Sequence, residues 1–151
     1  ETGKHIDLPY RLMAERLYDG IRVYRKESLN AAKEDEGQAS FGRFVFRTFP
    51  YRGEPVPNGK YTKWFDYDKI DDLMEVRYRQ SGDTIELKGV GTKALRTYMT
   101  DAKIPQEERD AIPVIATGNH VMWLVGHRIS ERYKVDNSTQ IVMEIRFEEE
   151  E

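Results

Sequence analysis

The 151-residue sequence contains no cysteine. That excludes disulfides, thiolate metal sites and thiol nucleophiles, and it is compatible with a reducing compartment. No apolar run approaches the roughly 20 residues needed to span a bilayer, and no signal-peptide pattern opens the chain. Histidine is scarce. His5, His120 and His127 are widely spaced and form no pair at metal-ligand spacing, so no metal site is expected. Phosphate-binding fingerprints are missing too. The "GVG" at 89–91 is followed by TKA, which fits neither GxGxxG nor GxxxxGK[ST], and reads as an ordinary turn. No serine lies in a GxSxG elbow. The acidic pair Asp71-Asp72 has no identifiable partner and reads as solvated charge.

What is present is charge of both signs. The formal net charge is −3, yet 24 residues are Lys or Arg. Four glutamates, 148–151, form an acidic tail, and without them the balance is about +1. A near-neutral domain binds nucleic acid only if its basic residues cluster. The length fits one domain, 1–147, able to bury about 68–70% of its unfolded surface.

Periodicity and turn chemistry predict an α+β fold: a mixed, mostly antiparallel sheet or sandwich with one or two short helices and seven to nine strands. Residues 5–26 read as two strands about Asp19-Gly20, a hairpin signal. Residues 27–40 read as a charged surface excursion with weak helix potential at 28–33. Phe41–Phe49 alternates as one strand, 50–59 is a Pro/Gly loop, and 60–68 and 73–79 read as strands. Thr92 is the expected N-cap of a helix whose apolar stripe is Leu95, Tyr98, Met99 and Ala102. Pro105 fits the first position of a second helical turn, and Pro113 opens an apolar strand. Gly118-Asn119 marks a tight hairpin, and 139–147 a closing strand.

The basic residues gather between 77 and 134. Arg77 and Arg79 alternate onto one strand face, which predicts an exposed face. Lys93 and Arg96 lie three apart on the expected helix. Lys103 and Arg109 flank Pro105, and Arg128, Arg132 and Lys134 crowd one connection. Each alone is consistent with a surface ion pair, Glu131 being a candidate partner for Arg128 and Arg132. Together, on loops and element ends, they could follow a phosphate backbone. Trp123 sits in an apolar run and reads as core; Trp123 and Tyr133 are also candidates for base stacking.

A set of spaced motifs now carries a resemblance: "RYRQSGD", "GVGTKALRTYMTDAKIPQEERDAIPV" and "WLVGHRISERYKV". Its signature positions are Gly82, Asp83, Gly91, Lys93, Leu95, Asp101, Lys103, Ile104, Pro105, Arg109, Pro113, Gly126, Arg128 and Ile129. Upstream, "IDLP" at 6–9 and "WFDYDKID" at 64–71 add weaker pieces. Together these resemble the C-terminal domain of bacterial tRNA(Ile)-lysidine synthetase, most densely over 73–147. Two departures thin the basic surface. Thr84 follows Gly-Asp where a basic residue is usual, and Lys93 stands alone where two lysines are usual.

The resemblance implies a parent carbon–nitrogen ligase of the cytoplasm. It uses ATP with magnesium to adenylate the wobble cytidine of a minor tRNA(Ile), which lysine then attacks. The Ser-Gly-Gly-x-Asp-Ser pyrophosphate loop of the catalytic domain is absent here. The chain is therefore expected to be the separated C-terminal part, inactive alone and holding no cofactor. Its implied partners are tRNA(Ile), at the acceptor-stem region, and the N-terminal catalytic domain, with no membrane. The implied fold is one shared with a domain of the phenylalanyl-tRNA synthetase β subunit. The pool of RNA contacts is Arg77, Arg79, Lys93, Arg96, Lys103, Arg109, Arg128 and Arg132, Arg109 being equally a buttress paired with Asp101 or Asp83. The alternative is a protein-contact or homodimer module using the aromatic strands 41–49 and 61–67.

Overall fold

The computed structural model describes residues 5–8, 12–17, 20–25, 37–70 and 73–148, and up to residue 41 it describes backbone pairing alone. Residues 26–36, Asp19, the pair Asp71-Asp72, 149–151 of the acidic tail and the side chain of His5 lie outside the described residues. Two sheets make up the fold. The strands β1 (His5–Leu8), β2 (Leu12–Leu17), β3 (Gly20–Arg25), β7 (Leu73–Arg77), β8 (Thr84–Leu87), β9 (Gly91–Ala94), β10 (Val114–Thr117) and β11 (His120–Leu124) form sheet A. Its order is β1-β2-β3-β7-β10-β11-β8-β9, with the short β12 (Arg128–Ile129) also pairing β11. Sheet B has the order β4-β5-β13-β6, built from β4 (Gly37–Phe41), β5 (Phe44–Pro50), β6 (Thr62–Asp66) and β13 (Ile141–Phe147). Every pairing is antiparallel except β11 with β8, which meet at His120 and Thr84.

The expected α+β class holds, but the strands among the described residues number thirteen, more than the seven to nine read from the sequence. The extra ones hide where Gly or charge masks periodicity. Residues 5–26 supply three strands instead of two, and Leu17 pairs Gly20, which already belongs to β3. The 41–49 run is not one strand: Gly42, at φ +66, turns β4 into β5. The three-glycine segment is a hairpin, β8–β9, whose tip needs Gly89 at φ +76 and Gly91 at φ +92.

The centre of sheet A, around β10 and β11, is buried on both faces. One faces sheet B across a core of Phe44, Phe46, Phe65, Ile115, Trp123 and Ile145. The other lies under α1 (Leu95–Asp101), with Ile85, Leu95, Met99, Ile104, Val114 and Leu124 in contact. This explains the unbroken apolar runs of β10 and β11, since strands covered on both sides lose alternation. A bulge completes the fit. Ala116 pairs Val121 while Ile115 pairs Trp123, so Met122 is the extra residue, and both Met122 and Trp123 join the inter-sheet core. The hairpin turn at Gly118-Asn119 forms as expected, with Gly118 at φ +59, the first position of a type II′ turn.

The aromatic strands are interior. Phe44, Phe46, Phe49, Trp64, Phe65 and Tyr67 are all buried, which removes them as the protein-contact surface of the alternative reading. Trp123 and Tyr133 are both 0% exposed, so neither can stack on a base. Tyr133 instead bonds its hydroxyl to Thr117 Oγ1 at 2.9 Å.

Candidate nucleic-acid interface

The basic cluster is organised around a buried ion pair. Arg77 ends β7, and its guanidinium grips both oxygens of Asp83 at 2.9 and 3.0 Å. It also donates to the carbonyls of Tyr78 and Gly118 and to Glu75. Asp83 in turn accepts from the Gln80 amide and Asn119 Nδ2. The exposed strand face expected for Arg77 is thus corrected. Its side chain is 5% exposed because the 78–83 turn and the Gly118-Asn119 turn close over it. Its role here is to hold two turns together. Gly82, at φ +91, lets the first turn fold back.

Downstream, the structure moves the helix boundary. Lys93 and the expected N-cap Thr92 lie in β9, and α1 begins at Leu95 with Ala94 as N-cap and no side-chain cap. The Leu95 amide is satisfied by the Asp83 carbonyl at 2.9 Å. Of the predicted stripe, Leu95 and Met99 are buried, Tyr98 is half-buried and Ala102 is exposed. Lys93 pairs with Asp101. Pro105 is the N-cap of α2 (Gln106–Arg109), one position before the first helical residue.

Between the helices, α1 closes in a Schellman motif. The Ile104 amide bonds the Met99 carbonyl and the Lys103 amide bonds the Thr100 carbonyl, both at 3.0 Å. Lys103 occupies the left-handed position, φ +61, and is the one non-glycine with positive φ among the described residues. Its side chain is exposed and has no partner among the described residues. Ile104 and Met99 meet in the core beneath it. Arg109 is buried and locks this joint, donating to the Ile104 carbonyl at 2.8 Å and to Thr100 Oγ1 at 3.2 Å. It is a buttress, but through these groups and not through Asp101 or Asp83.

The remaining cations are accessible. Arg79 is half-buried and bonds Asp110 at 2.8 Å. Arg96 is exposed on α1, and Arg128 is exposed on β12. Arg132 is exposed and lies over the ring of its neighbour Tyr133, 5.7 Å from the centroid. Glu131 pairs with Lys134 and not with either arginine. Partial desolvation, then the charge of Lys60, holds the His127 imidazole below its ordinary pKa. Arg79 and Arg96 share a cavity of about 630 Å³ with Asp110; Lys93, Lys103, Arg128 and Arg132 lie outside its lining. Sequence reasoning did not single out Asp110, an exposed acid that lies within the quoted motif but is not one of its signature positions.

Comparison with known proteins decides the family. Residues 74–146 match the TilS substrate C-terminal domain. The chain belongs to this family. It is 35% identical over 161 aligned residues to the tRNA(Ile)-lysidine synthase of Caldanaerobacter subterraneus subsp. tengcongensis, covering 99% of this chain and 34% of that protein. The Clostridium tetani synthase is 33% identical, again over 99% of this chain and 35% of its own length. The Clostridium perfringens synthase is 41% identical over 101 residues, 66% of this chain and 21% of its own. The chain thus spans about a third of the curated relatives it matches end to end. A crystal structure of a TilS C-terminal domain shares the fold, with a TM-score of 0.58 at 23% identity over 72% of this chain and 86% of that one.

Proposed function

We propose that this TilS C-terminal domain holds tRNA(Ile) by its acceptor-stem region, while a catalytic portion of the same enzyme ligates lysine to the wobble cytidine with ATP and magnesium. The observation that carries the reading is Lys103. A left-handed non-glycine residue costs roughly 1–2 kcal/mol relative to a right-handed one. Glycine would occupy the position without that cost. A lysine there, exposed and with no side-chain partner among the described residues, is suited to an anionic partner.

The chemistry fits A-form RNA. Its deep major groove is closed to side chains, so recognition falls on backbone, shape and strand ends. Lys103, Arg96 and Arg128 have no side-chain ion pair among the described residues, and Arg132 is exposed over the Tyr133 ring; all four lie on loops and short elements that can follow a phosphate backbone. Lys93 and Arg79 contribute from existing ion pairs. Arg77 and Arg109 act from inside, by fixing the turns.

A titration with an acceptor-stem minihelix at two salt concentrations tests this. Binding should weaken as salt rises, because neutralised phosphates release counterions. Arg128→Ala and Arg132→Ala should each weaken it further. No binding at low salt by the folded protein would end this reading and leave docking onto the catalytic portion as the domain's task.

A further inference from the structure

The cavity between the 79–84 turn and the start of α1 has a chemistry narrower than that of a basic patch. Arg79 enters it pre-positioned. Its Nε is fixed on Asp110 Oδ1 at 2.8 Å and its Nη1 rests 3.7 Å from the Met99 sulfur. That leaves Nη2 with no partner among the described residues. Arg96 lines the same space from α1, exposed and with no side-chain partner among the described residues. Two guanidinium groups, one held rigid, suit a phosphate. Asp110 is the odd member. Its side chain is 83% exposed, and only Oδ1 is used. A carboxylate would repel a phosphate placed against it, so it must face a different part of any anionic ligand. Hydroxyl donors satisfy it. The wall made by Ala94 and Leu95 carries no aromatic ring, so a base would gain no stacking there.

We propose that this cavity is a site for one ribonucleotide, with its phosphate between Arg79 and Arg96 and its ribose hydroxyls on Asp110. The volume of about 630 Å³ lies in the range of small-ligand sites. The hydroxyl contact sets a condition on the source. Inside an RNA strand the 3′ oxygen is esterified, so a free vicinal 2′,3′-diol exists only at a 3′ terminus or on a free nucleotide. A paired nucleotide cannot enter a concavity, which selects an unpaired 3′ end. The site rests on the RNA-holding reading for its source and not for its chemistry.

The experiment compares two hairpin RNAs, each with a four-nucleotide 3′ overhang, one ending in an ordinary ribose and one in a 2′,3′-dideoxyribose. AMP is titrated separately by calorimetry. The dideoxy end should weaken binding about tenfold, the worth of one hydrogen bond to a charged group. Asp110→Asn should erase that difference, and Arg96→Ala should weaken both RNAs. Thermal melts confirm that both variants fold. If the two RNAs bind alike and AMP does not bind, the site is refuted while RNA holding stands. If AMP binds in an Arg96-dependent way and neither RNA binds at low salt, the ribonucleotide site stands with a free nucleotide as its ligand, and RNA holding falls. If nothing binds, both fall.

Discussion

Arg77 and Asp83, six residues apart, form a two-pronged ion pair with side chains only 5% and 1% exposed. Burying two charges is tolerable only when every lone pair and proton is used, and here the surrounding amides and carbonyls use them. Removing one partner strands the other. Asp83→Ala should destabilise the fold by about 3–5 kcal/mol, read as a lower urea midpoint at unchanged slope. A midpoint within experimental error of the parent would show that the pair is incidental.

Lys103 separates stability from binding. Lys103→Gly relieves the left-handed strain and should stabilise the domain by about 1 kcal/mol. It should also weaken the minihelix and flatten the salt dependence by close to one unit of slope. Stability measured by denaturant and affinity measured by anisotropy would then move in opposite directions. A Lys103→Gly protein that melts lower than the parent would contradict the strain argument.

The two kinds of arginine predict two kinds of defect. Arg109→Ala leaves the Ile104 carbonyl without its donor and opens the joint between α1 and α2. Leaving a buried acceptor unpaired costs about 1–3 kcal/mol. Arg132→Ala touches an exposed side chain, and stability should stay within about 0.5 kcal/mol while RNA affinity drops. Equal loss of stability in both would collapse the distinction.

Glu144 makes an acid-sensitive contact. Burial pushes its carboxyl upward, but hydrogen bonds from Arg47 and Trp64 Nε1, with the charge of Arg47, outweigh burial and hold its pKa below the ordinary value. Both Arg47 bonds, at 3.0 and 3.1 Å, and the Trp64 bond at 2.9 Å are made to the carboxylate oxygens and are stronger to the ionised group. A lowered folded-state pKa gives stability that is present above the unfolded value and lost as pH falls through the folded one. The parent should therefore lose stability below about pH 4.5. Glu144→Gln should be less stable at neutral pH and should lose less on acidification. Parallel pH profiles for the two proteins would count against the contact.

Much of the fold was legible because several signals are local. Gly118-Asn119 between apolar runs is a hairpin in the sequence and in the structure. The motif-dense region, the short helix near Leu95 and the joint at Pro105 were likewise readable. What stayed hidden depends on distant partners. Alternation placed Arg77 on an exposed face, because its cover comes from Asp83 and the carbonyl of Gly118, 41 residues away. Thr92 looked like a cap since Thr commonly is one, but β8 recruits it into a hairpin. A lysine at the left-handed C-terminal position carries no sequence signal, as that position is usually read from glycine. Asp110 acquires meaning only where Arg79 reaches it, 31 residues on in sequence.

The position of β13 bears on how the chain is made. In sheet B it lies between β5 and β6, pairing seven residues with one and five with the other. Those two strands are translated much earlier and have no ladder with each other. Without residues 141–147, the edges of β5 and β6 that pair β13 have no partner strand in sheet B. Such late, long-range closure slows folding and exposes strand edges to aggregation. During synthesis, then, sheet B is an unfinished template, and the stretch from Ile141 to Phe147 is what ends its vulnerability.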